Sequence, residues 1–221
     1  MSAADVLVRA TGVSRRFGAR VALAPLDLEL HRGETVALVG ANGAGKSTLL
    51  SLLAGTLEPS SGEVRWTPGV RAGWVPQRPA QYARLSAREN LELFARLDGE
   101  EDAPAVAARL LAAFDLPDDG RPSGELSVGS RQRLNVAVGL LGDPDVLLLD
   151  EPTASLDPGQ RRRLWPTAAG VIGAGGGLVF ATQNLEELER ADRVLVLRDG
   201  RLVFAGDGDE YARSEEAEAL A

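Results

Sequence analysis

Apolar residues fall in short runs along much of the chain, with the content and length typical of strands. The runs lie at 6–13 (VLVRATGV), 26–40 (LDLELHRGETVALVG, interrupted by a turn at 31–33), 145–150 (DVLLLD) and 176–182 (GGLVFAT). From about Lys46 to Ala54 the apolar residues instead suit a helix, and Gly55 and Pro59 would end it. A buried strand, a glycine-rich turn and a helix are therefore predicted in succession at 35–54.

Two further pairs of strand-like segments are each separated by a turn signal. The segments GEVRW (62–66) and RAGWVPQ (71–77) flank TPGV, and the run RVLVLRDGRLVFAG (193–206) is divided by Asp199-Gly200. Turn residues between two β-rich segments favour a hairpin. We therefore predict one hairpin in each region.

Between the strand-rich flanks, the spacing of apolar residues changes to that of helices. Helices are predicted at 87–97 (ARENLELFARL), 103–114 (APAVAARLLAAF), 130–141 (SRQRLNVAVGLL) and from about Pro158. Alternating strands and helices, with buried strands of the parallel type, predict an α/β fold in which a sheet core carries a helical insert.

Composition narrows the classes of partner. The 221 residues carry a net charge of −8, which disfavours nucleic acid as a main partner because binding to phosphate backbones depends on basic residues. Cysteine is absent, which excludes disulfides and thiolate metal sites. The first residues lack the features of a signal peptide, and no apolar run approaches the roughly 20 residues that span a bilayer. We expect no membrane span in this chain.

The segment GANGAGKST (40–48) matches the pattern G-x-x-x-x-G-K-[ST], with a strand before it and a helix after it. Glycines let backbone N–H groups turn towards a polyphosphate, and the N-terminus of the helix adds a partial positive charge. Lys46, the only lysine of the chain, would reach the β- and γ-phosphates, and the Ser47 hydroxyl would bind Mg²⁺. The predicted nucleotide-binding residues here are Gly40, Ala41, Asn42, Gly43, Ala44, Gly45, Lys46, Ser47 and Thr48.

The apolar run DVLLLD is followed by a second carboxylate, so Asp150 and Glu151 would lie together at the end of a buried strand beside the phosphate loop. Asp150 can hold Mg²⁺ through its water shell, as in other P-loop enzymes. Glu151 is placed to polarise a water that attacks the γ-phosphate, as a general base. The sequence therefore predicts hydrolysis of a nucleoside triphosphate.

Two further motifs distinguish among P-loop enzymes. Guanine-specific GTPases recognise the base with Asn-Lys-x-Asp, which needs a lysine outside the phosphate loop, and this chain has none. The segment LSVGS (126–130) leads into a predicted helix. At this point the chain resembles the ATP-binding subunit of ABC transporters, whose signature is LSGGQ, and the motifs stand in the family's order over essentially the whole chain.

The resemblance implies a P-loop NTPase core with a mostly parallel sheet, an N-terminal antiparallel β subdomain and a helical insert. A single ABC-type ATP-binding domain would span 1–221. Its core would cover about 1–80 and 143–221, and its helical subdomain about 81–142.

The resemblance also implies roles for residues outside the phosphate loop. Phe17 would stack on adenine, and Gln77 in WVPQ would join Mg²⁺ and the γ-phosphate to the helical insert. Ser127 and Gly129 would contact the γ-phosphate held by the opposite subunit, and Asp157 would cross the dimer interface.

The chain departs from the family pattern at several positions. Ala41 replaces the usual proline of the phosphate loop, while Val128 and Ser130 replace Gly and Gln of the signature. Gln183, in FATQN, stands where the family has its switch histidine. A glutamine can orient water, as in Ras-like GTPases, but it cannot carry a proton charge. We expect Gln183 to support hydrolysis at a lower rate than histidine would, and we expect the only histidine, His31, on the surface.

The resemblance implies an ATPase subunit that binds ATP and Mg²⁺ and powers a membrane transporter. Two copies, or one copy and a homologous subunit, would face head to tail, each ATP lying between one phosphate loop and the other LSVGS. The helical insert would carry the motion to a separate transmembrane permease, docked at about Pro79 to Leu97, on the cytoplasmic face of the membrane. The segment LSARENLELFARL, followed by LSVGSRQRL, resembles exporters.

Two alternatives remain open at the level of sequence. A hydrolysis-impaired regulatory cassette that pairs with an active partner would account for Gln183 and the altered signature, but Glu151 argues against it. A soluble ABC-type ATPase that acts on ribosomes or DNA would usually carry two cassettes, a long coiled coil or zinc-binding cysteines, and none of these is found in the sequence.

Overall fold

The structure is a computed structural model that describes residues 5–154, 156, 159, 161, 165, 166 and 175–220. Asp157 and the beginning of the helix predicted from Pro158 lie outside these residues. The described strands are β1 (Val6–Phe17), β2 (Arg20–His31), β3 (Thr35–Val39), β4 (Ser61–Trp66), β5 (Ala72–Val75), β6 (Val146–Asp150), β7 (Gly177–Thr182), β8 (Arg193–Arg198) and β9 (Arg201–Gly206). The described helices are α1 (Lys46–Leu53), α2 (Ala87–Leu97), α3 (Ala103–Ala113), α4 (Val128–Gly139), α5 (Gly208–Ala212) and α6 (Glu215–Leu220).

The larger sheet has the strand order β5-β6-β7-β3-β8-β9, in which the first five strands are parallel and β9 is antiparallel. Every residue of β6 is buried. Leu147 and Leu149 pack in one apolar cluster with residues of α2, α3 and α4, whereas Leu148 packs in a second cluster with α1 and the other sheet. Successive side chains of a strand point to opposite faces, so a strand covered on both faces is apolar throughout. The predicted α/β fold with a mostly parallel sheet is confirmed.

The smaller sheet is antiparallel, has the order β2-β1-β4, and forms the expected N-terminal β part. The hairpin predicted for 62–66 and 71–77 is wrong, because β4 pairs with β1 while β5 pairs with β6 in the other sheet. The turn itself exists, with the Val70 N–H donating to the Thr67 carbonyl at 3.1 Å. Paired hydrogen bonds between Arg71 and Asp145 then fix the start of β5 beside β6. A local turn signal identifies a change of direction but not the sheet that the next strand joins.

The predicted hairpin at 193–206 is confirmed. Strands β8 and β9 pair antiparallel, and both turn residues have positive φ, 50° at Asp199 and 75° at Gly200. Two such residues make the tight turn whose twist matches that of the flanking strands.

Helices α2, α3 and α4 occupy the stretch predicted to be helical. Ser86 begins α2 with a capping box to Glu89, and Ser127 begins α4 by accepting the Ser130 N–H at 3.1 Å. The helices bury Leu91, Leu110 and Leu134 against one face of the larger sheet. Among the described residues, no helix is long and apolar enough to cross a membrane.

Candidate nucleotide-binding site

Four neighbouring parallel strands deliver the predicted site residues to one edge of the larger sheet. In sheet order, β5 leads to Gln77, β6 ends at Asp150 and leads to Glu151, β7 leads to Gln183, and β3 leads into the loop 40–48. In open α/β sheets, ligands bind outside the carboxyl ends of the strands. The topology therefore brings residues from four distant parts of the sequence together at the expected edge.

The loop 40–48 wraps back on itself before α1 begins. Gly40 and Gly45 have φ values of 148° and 111°, and a Cβ on Gly40 would lie 2.2 Å from the Leu197 carbonyl oxygen. Gly45 is the residue immediately before α1, so the backbone N–H groups of the first turn of the helix face the loop. Such a concave backbone, closed by a helix N-terminus, fits an anionic phosphate chain.

Lys46 is held inside this loop. Its side chain is 5% exposed, and its ammonium donates to the carbonyls of Gly40 at 2.7 Å and Ala41 at 3.3 Å. The same Nζ lies 3.6 Å from Glu151 Oε1. A buried ammonium is stable only with such partners, so Lys46 presents a fixed positive charge at the centre of the loop.

The side chain of Glu151 is the point where the other predicted residues meet. Its Oε2 accepts a hydrogen bond from Gln77 Nε2 at 2.8 Å, and its Oε1 accepts one from Gln183 Nε2 at 2.7 Å. Gln183 also donates to Asn42 Oδ1 in the phosphate loop at 2.9 Å. Gln77 and Gln183, the other two residues proposed as catalytic from the sequence, therefore each contact Glu151 directly.

The backbone of Glu151 is constrained as well. Its φ of 49° is unusual for a residue with a side chain, and its N–H donates to the Ala181 carbonyl of β7 at 3.0 Å. The strained turn ends the strand abruptly and directs the carboxylate across the sheet edge towards Lys46. Strain of this kind is common at functional sites.

Asp150 lies deeper and has the character of a cation ligand. It is 3% exposed, and within the described part of the chain its Oδ1 has no hydrogen-bond partner. Burial raises the pKa of Asp150 above its ordinary value, and the neighbouring carboxylate of Glu151 raises it further. This pKa is lowered in part by the Ser47 hydroxyl, the charge of Lys46 and the backbone of Gln77. A divalent cation would stabilise the ionised form and satisfy the free oxygen.

The donor set fits Mg²⁺ in the manner of P-loop enzymes. Among the described residues no cluster of three or more His, Asp or Glu side chains could hold a metal by itself. Mg²⁺ commonly binds to one or two protein oxygens and takes its other ligands from phosphate and water. Ser47 lines the cleft and Asp150 lies buried at the end of β6, and these two oxygen ligands suit that arrangement.

A cleft of about 230 Å³ opens above the loop. It is lined by Phe17, Arg20, Ala22, Asn42, Gly43, Gly45, Lys46, Ser47, Thr48, Gln77 and Glu151. Phe17 is half exposed at its rim, and the Arg15 guanidinium carbon lies 4.6 Å from the centre of the Phe17 ring. One face of this ring is therefore covered by a cation, and only the other face is available to stack on a base.

Some predicted residues lie outside this cleft. Ser127 and Gly129, at the start of α4, are not among the described residues that line it. Asp157 lies outside the described residues. His31 ends β2 at a partly covered surface position, with its side chain 15% exposed and its Nε2 3.6 Å from Glu29 Oε2.

The sequence patterns missed Arg20, which follows the β1–β2 turn and lines the cleft. A Cβ on Gly43 would lie 3.9 Å from Arg20 Nη2, so the guanidinium lies over the phosphate loop. Within the part of the chain that the structure describes, Arg20 forms no ion pair. Its only sequence signal is its proximity to Phe17.

The glycine loop, the buried lysine and the paired carboxylates define a P-loop nucleotide-binding protein. The family model described as ABC transporter matches residues 23–154. A solved structure described as the ATP-binding subunit of an ABC transporter has a TM-score of 0.82 and 27% identity, with coverage of 97% of this chain and 94% of that chain.

Three curated relatives agree with this assignment. The daunorubicin resistance ATP-binding protein DrrA3 of Streptomyces coeruleorubidus is 38% identical over 94% of this chain and 70% of its own length. The probable multidrug ABC transporter ATP-binding protein YbhF of Escherichia coli (strain K12) is also 38% identical, over 92% of this chain but 38% of its own length. The Nod factor export ATP-binding protein I of Burkholderia orbicola (strain AU 1054) is 35% identical over 97% of this chain and 75% of its own length. The chain belongs to the ABC transporter family and is an ATPase cassette of that family.

We predict that Arg20→Gln weakens ATP binding about three- to tenfold, because one exposed charge pair contributes about 1 kcal/mol. The loss should shrink as the salt concentration rises, since salt screens exposed charges. Titration with a fluorescent ATP analogue at two ionic strengths measures both effects.

Arg16→Gln is the matched control, because Arg16 is exposed on the same strand as Phe17 and does not line the cleft. Equal dissociation constants for Arg20→Gln and the wild type would contradict a role of Arg20 in binding.

Proposed function

We propose that this ATPase binds ATP in the cleft together with Mg²⁺ and couples hydrolysis to export through a separate transmembrane permease. The observation that carries the proposal is the position of Glu151, whose carboxylate lies beside Lys46 and between the amides of two glutamines. A general base must lie next to the phosphate-binding group and be oriented by fixed neighbours. Glu151 meets both conditions.

The phosphate loop and Lys46 would bind the β- and γ-phosphates, while Phe17 would stack on adenine. Ser47, Gln77 and Asp150 would hold Mg²⁺. This ion supplies charge neutralisation at the phosphates. Glu151 would polarise the attacking water.

Gln183 would orient this water and contact the γ-phosphate. Its amide bridges Glu151 and Asn42, so one side chain links the base to the phosphate loop. Both amide hydrogens are used as donors, and a neutral amide accepts no proton. Gln183 would therefore orient the water and Glu151 without taking up or releasing a proton.

The second half of the nucleotide site would come from another copy of the chain. Ser127 and Gly129 stand at the N-terminus of α4, where backbone N–H groups favour an anion, yet they do not line the cleft of their own chain. Next to them, Val128 is 52% exposed. Two copies arranged head to tail would place each LSVGS segment over the ATP held by the other, with Asp157 at the interface.

The permease would bind the helical part of the chain, about 81–142, at the surface from Pro79 to Leu97. Tyr82 and Leu97 are large apolar side chains exposed here, and Tyr82 stacks on Phe94 with 6.0 Å between ring centres. A groove of about 280 Å³ beside Leu97 is lined by residues of β5 and of the helical part, among them Trp74, Phe94 and Val138. Exposed apolar side chains that lie together are typical of a protein interface. The chain would then lie peripherally on the cytoplasmic face of the membrane.

Export is the proposed direction, since relatives named for drug resistance, multidrug transport and Nod factor export match most of this chain. The transport step itself is testable in inside-out vesicles that contain the permease. Uptake of substrate into these vesicles on addition of ATP is the expected result, and ATP-driven release would contradict export.

We expect Glu151→Gln to accumulate as a dimer when ATP and Mg²⁺ are present. The substitution removes the proposed base but leaves the loop and the cation ligands, so the closed dimer should form and persist. Size-exclusion chromatography with light scattering measures the mass. Combining Glu151→Gln with Lys46→Ala provides the control, because loss of the lysine should prevent ATP binding and dimer formation. A Glu151→Gln protein that stays monomeric at saturating ATP would contradict the homodimer.

We expect Gln183→Ala to lower the turnover number for ATP about tenfold, since one oriented hydrogen bond is worth about 1 kcal/mol or more. Gln183→His should raise it above the wild type, because histidine can also exchange a proton. Steady-state ATPase assays measure both, and the neighbouring Leu185→Ala serves as the control. Wild-type rates in both Gln183 variants would show that Gln183 does not contribute, and a wild type without turnover would favour the regulatory cassette.

We expect Leu97→Glu to abolish binding to membrane vesicles that contain the permease while leaving ATPase activity of the isolated chain unchanged. Leu97 is 72% exposed, so a charge costs little in the folded chain but much at an apolar interface. Val203→Glu, at an exposed apolar residue of β9, is the matched control. Vesicle co-sedimentation measures binding, and undiminished binding of Leu97→Glu would rule out this surface.

A further inference from the structure

Glu187 is a buried carboxylate to which the sequence patterns gave no role. It lies in the 3₁₀ turn Leu185–Arg190 that follows β7, and it is 4% exposed. Its neighbour Glu186 is exposed, so the run LEELER gives no indication that one of its acidic residues points inward. A carboxylate is very seldom buried to this extent without a specific set of partners.

The partners of Glu187 are two threonine hydroxyls. Thr153 Oγ1 donates to Oε1 at 2.5 Å, and Thr182 Oγ1 donates to Oε2 at 2.6 Å. Both threonines are themselves 3% exposed. Both lengths are at the short end of the range for hydrogen bonds between two oxygen atoms.

The two threonines belong to the ends of two different strands. Thr153 closely follows Glu151 after β6, and Thr182 directly precedes Gln183 at the end of β7. One carboxylate therefore joins the two chain segments that carry the proposed base and the residue that orients it. The link is extended by the Asn184 N–H, which donates to Thr182 Oγ1 at 3.0 Å.

Stability alone does not account for this arrangement. Among the described residues no basic side chain pairs with Glu187, so the recorded partners of its carboxyl group are hydroxyls only. Apolar residues of similar volume at such a site are often as stabilising as buried charges. What the two short bonds supply, and an apolar residue would not, is a fixed distance between the β6 and β7 segments.

We propose that Glu187 is a positioning residue for ATP hydrolysis, which sets Glu151 and Gln183 relative to each other through Thr153 and Thr182. The proposal rests on the proposed function of Glu151 and Gln183. A displacement of about 1 Å at a reacting group can lower a rate about 100-fold, so two strand ends that shift apart would affect the chemical step strongly. ATP binding depends on the loop 40–48 and should be affected little.

The test replaces the hydroxyls while keeping the side-chain shape. The double variant Thr153→Val/Thr182→Val should lower the turnover number about 10- to 100-fold, with the dissociation constant of ATP within twofold of the wild type. Thr153→Ser/Thr182→Ser keeps both hydroxyls and should retain at least about half of the wild-type turnover. Thr67→Val, which removes a partly buried hydroxyl bonded to the Val6 carbonyl, should not change turnover.

Turnover must be counted per ATP-binding site, because a merely structural role would reduce the number of active sites and the melting temperature without changing the rate of each site. If the valine variant does not fold, Glu187→Gln replaces it. That variant keeps the volume but loses the charge, and it should also lower the turnover number with the dissociation constant unchanged. A rate per site equal to that of the wild type in whichever variant folds would overturn the proposal.

A double-mutant cycle locates the effect. In the background of Gln183→Ala, removal of the Thr182 hydroxyl should lower turnover by less than it does in the wild-type background, since both changes act on the same group. If the two substitutions lower the turnover number by factors that simply multiply, Thr182 does not act through Gln183, and this part of the proposal is overturned.

A wild-type protein that hydrolyses no ATP would overturn the proposed function together with this inference, whereas normal wild-type turnover with unaffected variants would overturn this inference alone.

Discussion

The carboxylate of Glu151 can lie at the base of the cleft only because three donors surround it. Lys46 supplies a positive charge 3.6 Å away, and the amides of Gln77 and Gln183 occupy one oxygen each. A carboxylate that is largely removed from water is stabilised by such partners. The same contacts hold the two glutamines next to the phosphate loop. The contacts that stabilise the Glu151 carboxylate therefore also organise the site.

The topology of the sheet makes this convergence possible. Strands β5, β6, β7 and β3 are consecutive neighbours and parallel, so the segments that follow them meet at one edge although they lie far apart in sequence. The apolar clusters on both faces keep the strands in register, and the strained turn at Glu151 directs its side chain across the strand ends. Glu187 adds a second link between the segments that follow β6 and end β7, through two buried hydroxyls.

Sequence patterns predicted the parts of this structure that depend on local physics. The run TVALVG, the loop GANGAGKST and the helix from Lys46 have a periodicity and a glycine spacing that only one local structure satisfies, and the Asp199-Gly200 turn is equally local. The partner of a strand is a long-range property, which is why the hairpin assigned to 62–77 was wrong. The positions of Arg20 and Glu187 also depend on tertiary packing, since an arginine after a turn and a glutamate in an acidic segment look like ordinary surface residues. The roles of the site residues and the boundaries of the helical part remain predictions.

The proposed role of Glu151 as the group that activates water is tested most directly by the rate of a single turnover. Glu151→Gln keeps the size and one hydrogen-bonding oxygen but removes the charge and the basicity. With enzyme in excess over ATP, the rate constant for cleavage should fall by about 10² to 10⁴, the range typical of a lost general base, while ATP binds with an unchanged dissociation constant. A Glu151→Gln protein that cleaves bound ATP within about threefold of the wild-type rate would contradict this role of Glu151.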